Sequence, residues 1–196
     1  MKKIKAVFSV FALVFVMLSL FGCAPKITVE ELKAALPALV DASKPLNEIY
    51  LGEGFSRDES IVDENETYGY FYCDTMEYGL HSISDIKDAT EKVFTPEYAA
   101  VLYQAAFEGL SVDTLVEGAR YAEGEMGLMQ KEDAEKFNVS DRAFDYDSIK
   151  IVKGGRKNVK ISIITEADGK KEEIEMMVVR YGDEGNFTYR LDSPTY

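Results

Sequence analysis

The chain predicts an α+β domain in which N-terminal helices pack on a curved antiparallel β-meander. Three observations lead there. Capped helical segments crowd the stretch before residue 110, extended runs fill the stretch after it, and those runs are joined by short turns instead of helical crossovers. The first helix opens at Thr28-Val29-Glu30-Glu31, where Thr at the N-cap and Glu three residues on form a capping box. Leu32, Leu36, Leu39 and Val40 fall on one stripe. Pro37 is expected to interrupt this helix and Pro45 to restart a second short segment carrying Leu46, Ile49 and Tyr50. Residues 52–67 carry Gly, Ser, Asp and Glu without a sustained apolar period and read as a long acidic loop. Tyr68 to Cys73 read as a strand, with Tyr68, Tyr70 and Tyr72 on one face and Phe71 and Cys73 on the other. Ile86, Ala89, Thr90, Val93 and Phe94 recur at helical spacing, and Thr95-Pro96 starts a further helix with stripe Tyr98, Leu102, Ala105, Ala106 and Phe107, closed by Gly109.

Beyond Gly109 the pattern is extended. Leu115-Val116 and Arg120 to Met129 read as broken strands, and Asp145 to Val152, Asn158 to Thr165, Lys171 to Tyr181 and Asn186 to Leu191 as stronger ones. Gly154-Gly155 and Ala167-Asp168-Gly169-Lys170 supply the hairpin turns, because Gly and Asp tolerate positive φ. Near Ile174 to Val179 both faces become apolar, so this strand should be central and covered on both sides toward its end. The expected organisation is a signal peptide at 1–22, Cys23 with a short tether at 23–27, and one α+β domain at 28–196.

The N-terminus gives an address. Lys2, Lys3 and Lys5 precede an uncharged apolar run, Ala6 to Phe21, that is too short for a comfortable span and reads as a secretory signal. Leu20-Phe21-Gly22-Cys23 resembles the lipobox of bacterial lipoproteins, which implies cleavage before Cys23, acylation of its thiol, and attachment to the membrane on the extracytoplasmic side. Phe21 departs from the usual residue at its position. Removal of 1–22 takes away three lysines and no carboxylate, moving the formal net charge from −13 to −16. That charge is expected to hold the domain away from anionic headgroups and wall polymers. With carboxylates outnumbering cations 35 to 22, no basic stripe is present to neutralise a phosphate backbone, and no nucleic-acid partner is expected. With Cys23 lipidated, Cys73 has no partner for a disulfide.

Val93-Phe94-Thr95-Pro96-Glu97-Tyr98, followed by the hairpins and the ending Tyr189-Arg190-Leu191-Asp192-Ser193-Pro194, resembles small secreted bacterial domains of the cystatin-like and nuclear-transport-factor-two-like group. The arrangement is most similar to the inhibitors of cell-wall DL-endopeptidases. That resemblance implies a cystatin-like or cone-like fold and a non-enzymatic inhibitor or binding role toward a protein or cell-wall partner. The Trp expected in the last strand is absent, with Phe187 or Tyr189 nearest its place, and no inhibitory residue carries over.

Candidates for chemistry are few. His81 is the sole histidine, so a thiol nucleophile would have to pair Cys73 with His81, against the alternative of a buried Cys73 and a loop His81. Asp145 and Asp147 share a strand face, as carboxylates on a solvated face also do. Asp58, Glu59, Asp63, Glu64 and Glu66 lack the spacing and glycine of an EF-hand loop. No cofactor or metal is expected. Tyr68, Tyr70 and Tyr72 form a candidate interaction surface, unless their rings lie between sheet and helix. A small-molecule pocket inside the cone, near Tyr103, Ile161 and Met176, is the alternative function.

Overall fold

The computed structural model describes residues 25–61, 69–108, 110–112, 115–139, 141–183 and 185–196. The signal peptide, Cys23, Tyr68, Gly109 and residues 62–67 of the acidic loop, with Asp63, Glu64 and Glu66, lie outside the described residues. The architecture is α+β, with the helices on one face of an antiparallel meander.

Helix α1 (Val29–Tyr50) begins at the capping box: the Thr28 hydroxyl accepts from Glu31 N (3.2 Å) and the Glu31 carboxylate accepts from Thr28 N (2.8 Å). Pro37 and Pro45 do not divide it, contrary to expectation; the helix runs unbroken for 22 residues. Each proline costs about 3 kcal/mol inside a helix. Leu32, Leu36, Val40, Ser43, Leu46, Asn47 and Tyr50 nevertheless stay in register as one buried stripe across both of them. Burying each large apolar member stabilises by about 1.5–3 kcal/mol, so tertiary packing prevails over local preference.

The stripe lies on a four-stranded sheet in the order β6 (Ala143–Gly154), β7 (Asn158–Ala167), β8 (Lys170–Tyr181), β9 (Thr188–Leu191). Val159, Ile161, Ile163, Met176, Val178 and Leu191 face the helices and are buried with it in one core. The β7–β8 turn places Asp168 and Gly169 at φ +52° and +72°, the left-handed pair that a two-residue hairpin requires. Strand β8 is internal, and Met177 and Val179 on its outer face are half-buried.

A second sheet was not foreseen. The run read as one broken strand over Arg120 to Met129 is a hairpin of β4 (Tyr121–Gly124) and β5 (Gly127–Lys131), and β1 (Tyr70–Tyr72) pairs with β5 outside the meander. A two-stranded β2 (Leu110–Val112) and β3 (Leu115–Glu117) ribbon precedes it. Helix α2 (Ile83–Val93) is capped by Ser82, and α3 (Pro96–Tyr103) by Thr95 with Pro96 at its first position. α3 continues into a π-helical turn, Gln104–Glu108, whose i→i+5 hydrogen bonds put more residues in the turn and so shift the apolar face. Ala99, Leu102 and Ala106 are therefore buried, while Ala105, expected inside, is exposed. Thr95 N donates to Leu191 O (2.9 Å), and the Thr95 hydroxyl donates to Asp192. The two segments that carry the resemblance thus touch in space.

Candidate functional site

The start of the acidic loop is tied into the core. Gly54 takes φ +81°, where a Cβ would collide with the Gln130 amide and the Tyr121 hydroxyl, and this turn aims Phe55 inward between Tyr78 and Tyr121. Gln130 fixes the turn from both sides, accepting from Phe55 N and donating to Glu53 O at 2.8 Å each. Arg120, 5% exposed, spans the next gap: it donates to Glu135 O (2.7 Å), to Gly52 O and, more weakly, to the Tyr121 hydroxyl (3.5 Å). Phe137 N donates to Leu51 O at 2.7 Å. Segment 134–139 is thereby held alongside the C-terminal half of α1.

Between them lies a cleft of about 350 Å³ lined by Val40, Asn47, Tyr78, Val139 and Phe144, with Lys44 and Asp141 paired at its rim (3.1 Å). It adjoins a more polar hollow of about 490 Å³ bounded by Glu53, Phe55, Glu77 and Gln130, and both share Glu48 and Tyr78. The floor is set by Thr195, whose hydroxyl is 2.7 Å from the Ser43 hydroxyl and accepts from Asn47 Nδ2 (2.8 Å). Burial, with Glu77 beside it, pushes the Tyr78 phenol up to about 12, so it stays a neutral hydrogen-bonding group at physiological pH. Arg142 at the edge is engaged by Glu172 and Thr165. An apolar wall, a phenol, an amide and a rim ion pair suit recognition of a mixed polar and apolar ligand.

The residues singled out from sequence sit elsewhere. Tyr72 is 9% exposed, and the half-buried Tyr70 donates its hydroxyl to Ala119 O (2.5 Å), so this pair offers little contact area. Ile161 and Met176 are buried in the core, and the cone interior at that point is filled; the Tyr103 hydroxyl donates to Lys87 O. Asp145 and Asp147 are exposed, the latter pairing with Lys33 at 2.9 Å. Among the described residues no cluster of three metal-ligating side chains occurs.

Cys73 is buried, and His81 turns to the Thr75 hydroxyl (2.8 Å) instead of the thiol. Burial pushes the thiol up from near 9 to about 12. A raised thiol pKa favours the fold below the unfolded value, and that contribution is lost as pH climbs from about 9 toward 12. Native protein at pH 8 is therefore expected to react with a thiol reagent at least a hundredfold more slowly than the denatured chain, and equal rates would contradict the burial.

Arg120, Gln130, Asn47 and Thr195 were not anticipated as site-forming. One signal was present: Ser43 and Asn47 place polar side chains on the apolar stripe of α1. A scan against protein-family models and searches of curated proteins and of solved structures found no match to this chain.

Proposed function

We propose that the mature chain is a membrane-anchored extracytoplasmic lipoprotein acting as a non-enzymatic binding or inhibitor module. It holds a protein or cell-wall partner at the cleft around Tyr78. The cleft carries this reading: it joins apolar wall, neutral hydrogen-bonding groups and a rim ion pair, whereas the Cys73 thiol is buried and His81 is bonded to Thr75. The anchor rests on Leu20-Phe21-Gly22-Cys23. A small ligand is a second reading, because about 350 Å³ falls within the range of small-molecule sites.

Cells making the precursor should incorporate labelled palmitate, and Cys23→Ala should abolish it while leaving unprocessed chain. A photo-crosslinker at Asp141 on the cleft rim should trap a wall hydrolase or wall fragment that a crosslinker at Glu173, on the outer sheet face, does not. Equal trapping from both positions would remove the cleft. Hydrolysis of wall material that disappears in Cys73→Ala would replace the binding role with a thiol hydrolase. A large thermal shift with a small ligand, together with no rim-specific crosslink, would favour the second reading.

A further inference from the structure

The β6–β7 turn has a composition unlike the rest of this acidic chain. Lys150 to Lys160 contains five cations, Lys150, Lys153, Arg156, Lys157 and Lys160, and no carboxylate. Lys153, Arg156 and Lys157 are exposed around the turn, and the neighbouring Val152 is 54% exposed. The same turn receives the tether. Ile27 is buried and its N–H donates to Gly155 O (3.2 Å), while Arg180, stacked 4.0 Å from the Phe187 ring, donates to Pro25 O (2.5 Å). The docked tether adds the exposed Lys26 to the patch. Among the described residues no ion pair engages Lys26, Lys153, Arg156 or Lys157; Lys160 pairs with Glu175 at 2.5 Å. Glu31, whose carboxylate stands 3.6 Å from the Arg180 guanidinium, shares the first turn of α1 with Glu30, and Asp183 lies in the β8–β9 turn. Glu166, Glu172 and Glu173 lie toward the opposite end of the strands, six to eight residues or roughly 20–26 Å along β7 from Asn158, together with Lys170 and Lys171.

We propose that this turn is a membrane-contact surface, in which Lys26, Lys153, Arg156 and Lys157 take anionic phospholipid headgroups and Val152 enters the interfacial layer. The inference rests on the lipid-anchor reading of Cys23. Four residues separate Cys23 from Ile27, which docks on the turn, a reach of at most about 14 Å that leaves the turn free to touch the headgroup layer. Cations brought within a Debye length of about 8 Å of an anionic surface feel its attractive potential, each adding a roughly fivefold preference for that surface. The net charge of the whole chain, which led to the expectation of a domain held off the membrane, averages over a sheet whose tethered end carries this run of cations.

The mature chain carrying Cys23→Ala, and so unacylated, should co-float at low salt with vesicles rich in phosphatidylglycerol and not with phosphatidylcholine vesicles. The double substitution Arg156→Gln, Lys157→Gln should lower its partition coefficient about 30-fold, and raising salt should do the same. Undiminished flotation of the double variant, or equal binding to neutral vesicles, would overturn the proposal. So would retention by a soluble anionic wall polymer without flotation, which would assign the patch to the polymer. Palmitate labelling of the wild-type precursor reports the anchor separately: labelling without flotation sinks the patch alone, and flotation without labelling sinks the anchor alone.

Discussion

Replacing Phe94 by Ala is expected to lower the unfolding free energy by about 3–5 kcal/mol. Phe94 is 0% exposed and lies where three elements meet. Its N–H closes α2 on Thr90 O (2.8 Å), its backbone forms a parallel bridge to Leu191, and its ring stands 5.1 Å from that of Tyr98 on α3. The next residue caps α3 and bonds both Leu191 O and Asp192, so a cavity here loosens the seam that holds β9. That strand is short, only four residues on the edge of the sheet, and has little ladder of its own to compensate. Urea denaturation should show the midpoint falling with an unchanged m-value. A loss below about 1 kcal/mol would mean that the ring is not packed as described.

What was legible in the sequence was local. Thr28 with Glu31, Thr95 with Pro96, and Asp168 with Gly169 each announce a cap or turn within four residues, and the structure places an element boundary at each. What was not legible depended on partners far along the chain. The prolines of α1 are overridden by a sheet that begins more than ninety residues later. The β4–β5 hairpin turns at Glu125-Met126, which carry no turn signal of their own beyond the flanking Gly124 and Gly127. Pairing of Tyr72 with Met129 is equally non-local, and it takes β1 out of the meander. The cleft follows the same rule: its walls come from α1, the loop after it, the Thr75–Gly79 turn, segment 134–139 and Asp141, and no short motif spans them.

Arg120→Met is expected to destabilise the protein by about 3 kcal/mol or more, and to open the cleft before the rest of the fold gives way. Hydrogen bonds from a charged donor each contribute about 1.5–3 kcal/mol, and two of those made by Arg120 end on backbone carbonyls, Gly52 O and Glu135 O, that a methionine leaves unpaired. Met retains most of the buried volume, including the contact with the Tyr121 ring, which isolates the polar loss from a cavity. Arg120→Lys should not rescue, because one ammonium cannot reproduce the planar fork that reaches two carbonyls at once. The two carbonyls belong to the loop after α1 and to the segment that runs on to Val139 in the cleft wall, so the effect has a local reporter: the Phe137 amide, which donates to Leu51 O. Its hydrogen-exchange protection should fall in Arg120→Met further than that of Ile161 in the central sheet, because opening segment 134–139 no longer requires global unfolding. If Asp141 is the rim of a partner site, the same variant should weaken crosslinking there in proportion to the lost protection. Full protection at Phe137 with intact crosslinking would show that the segment is held by the rest of its contacts, and that Arg120 is not the strut between loop and segment.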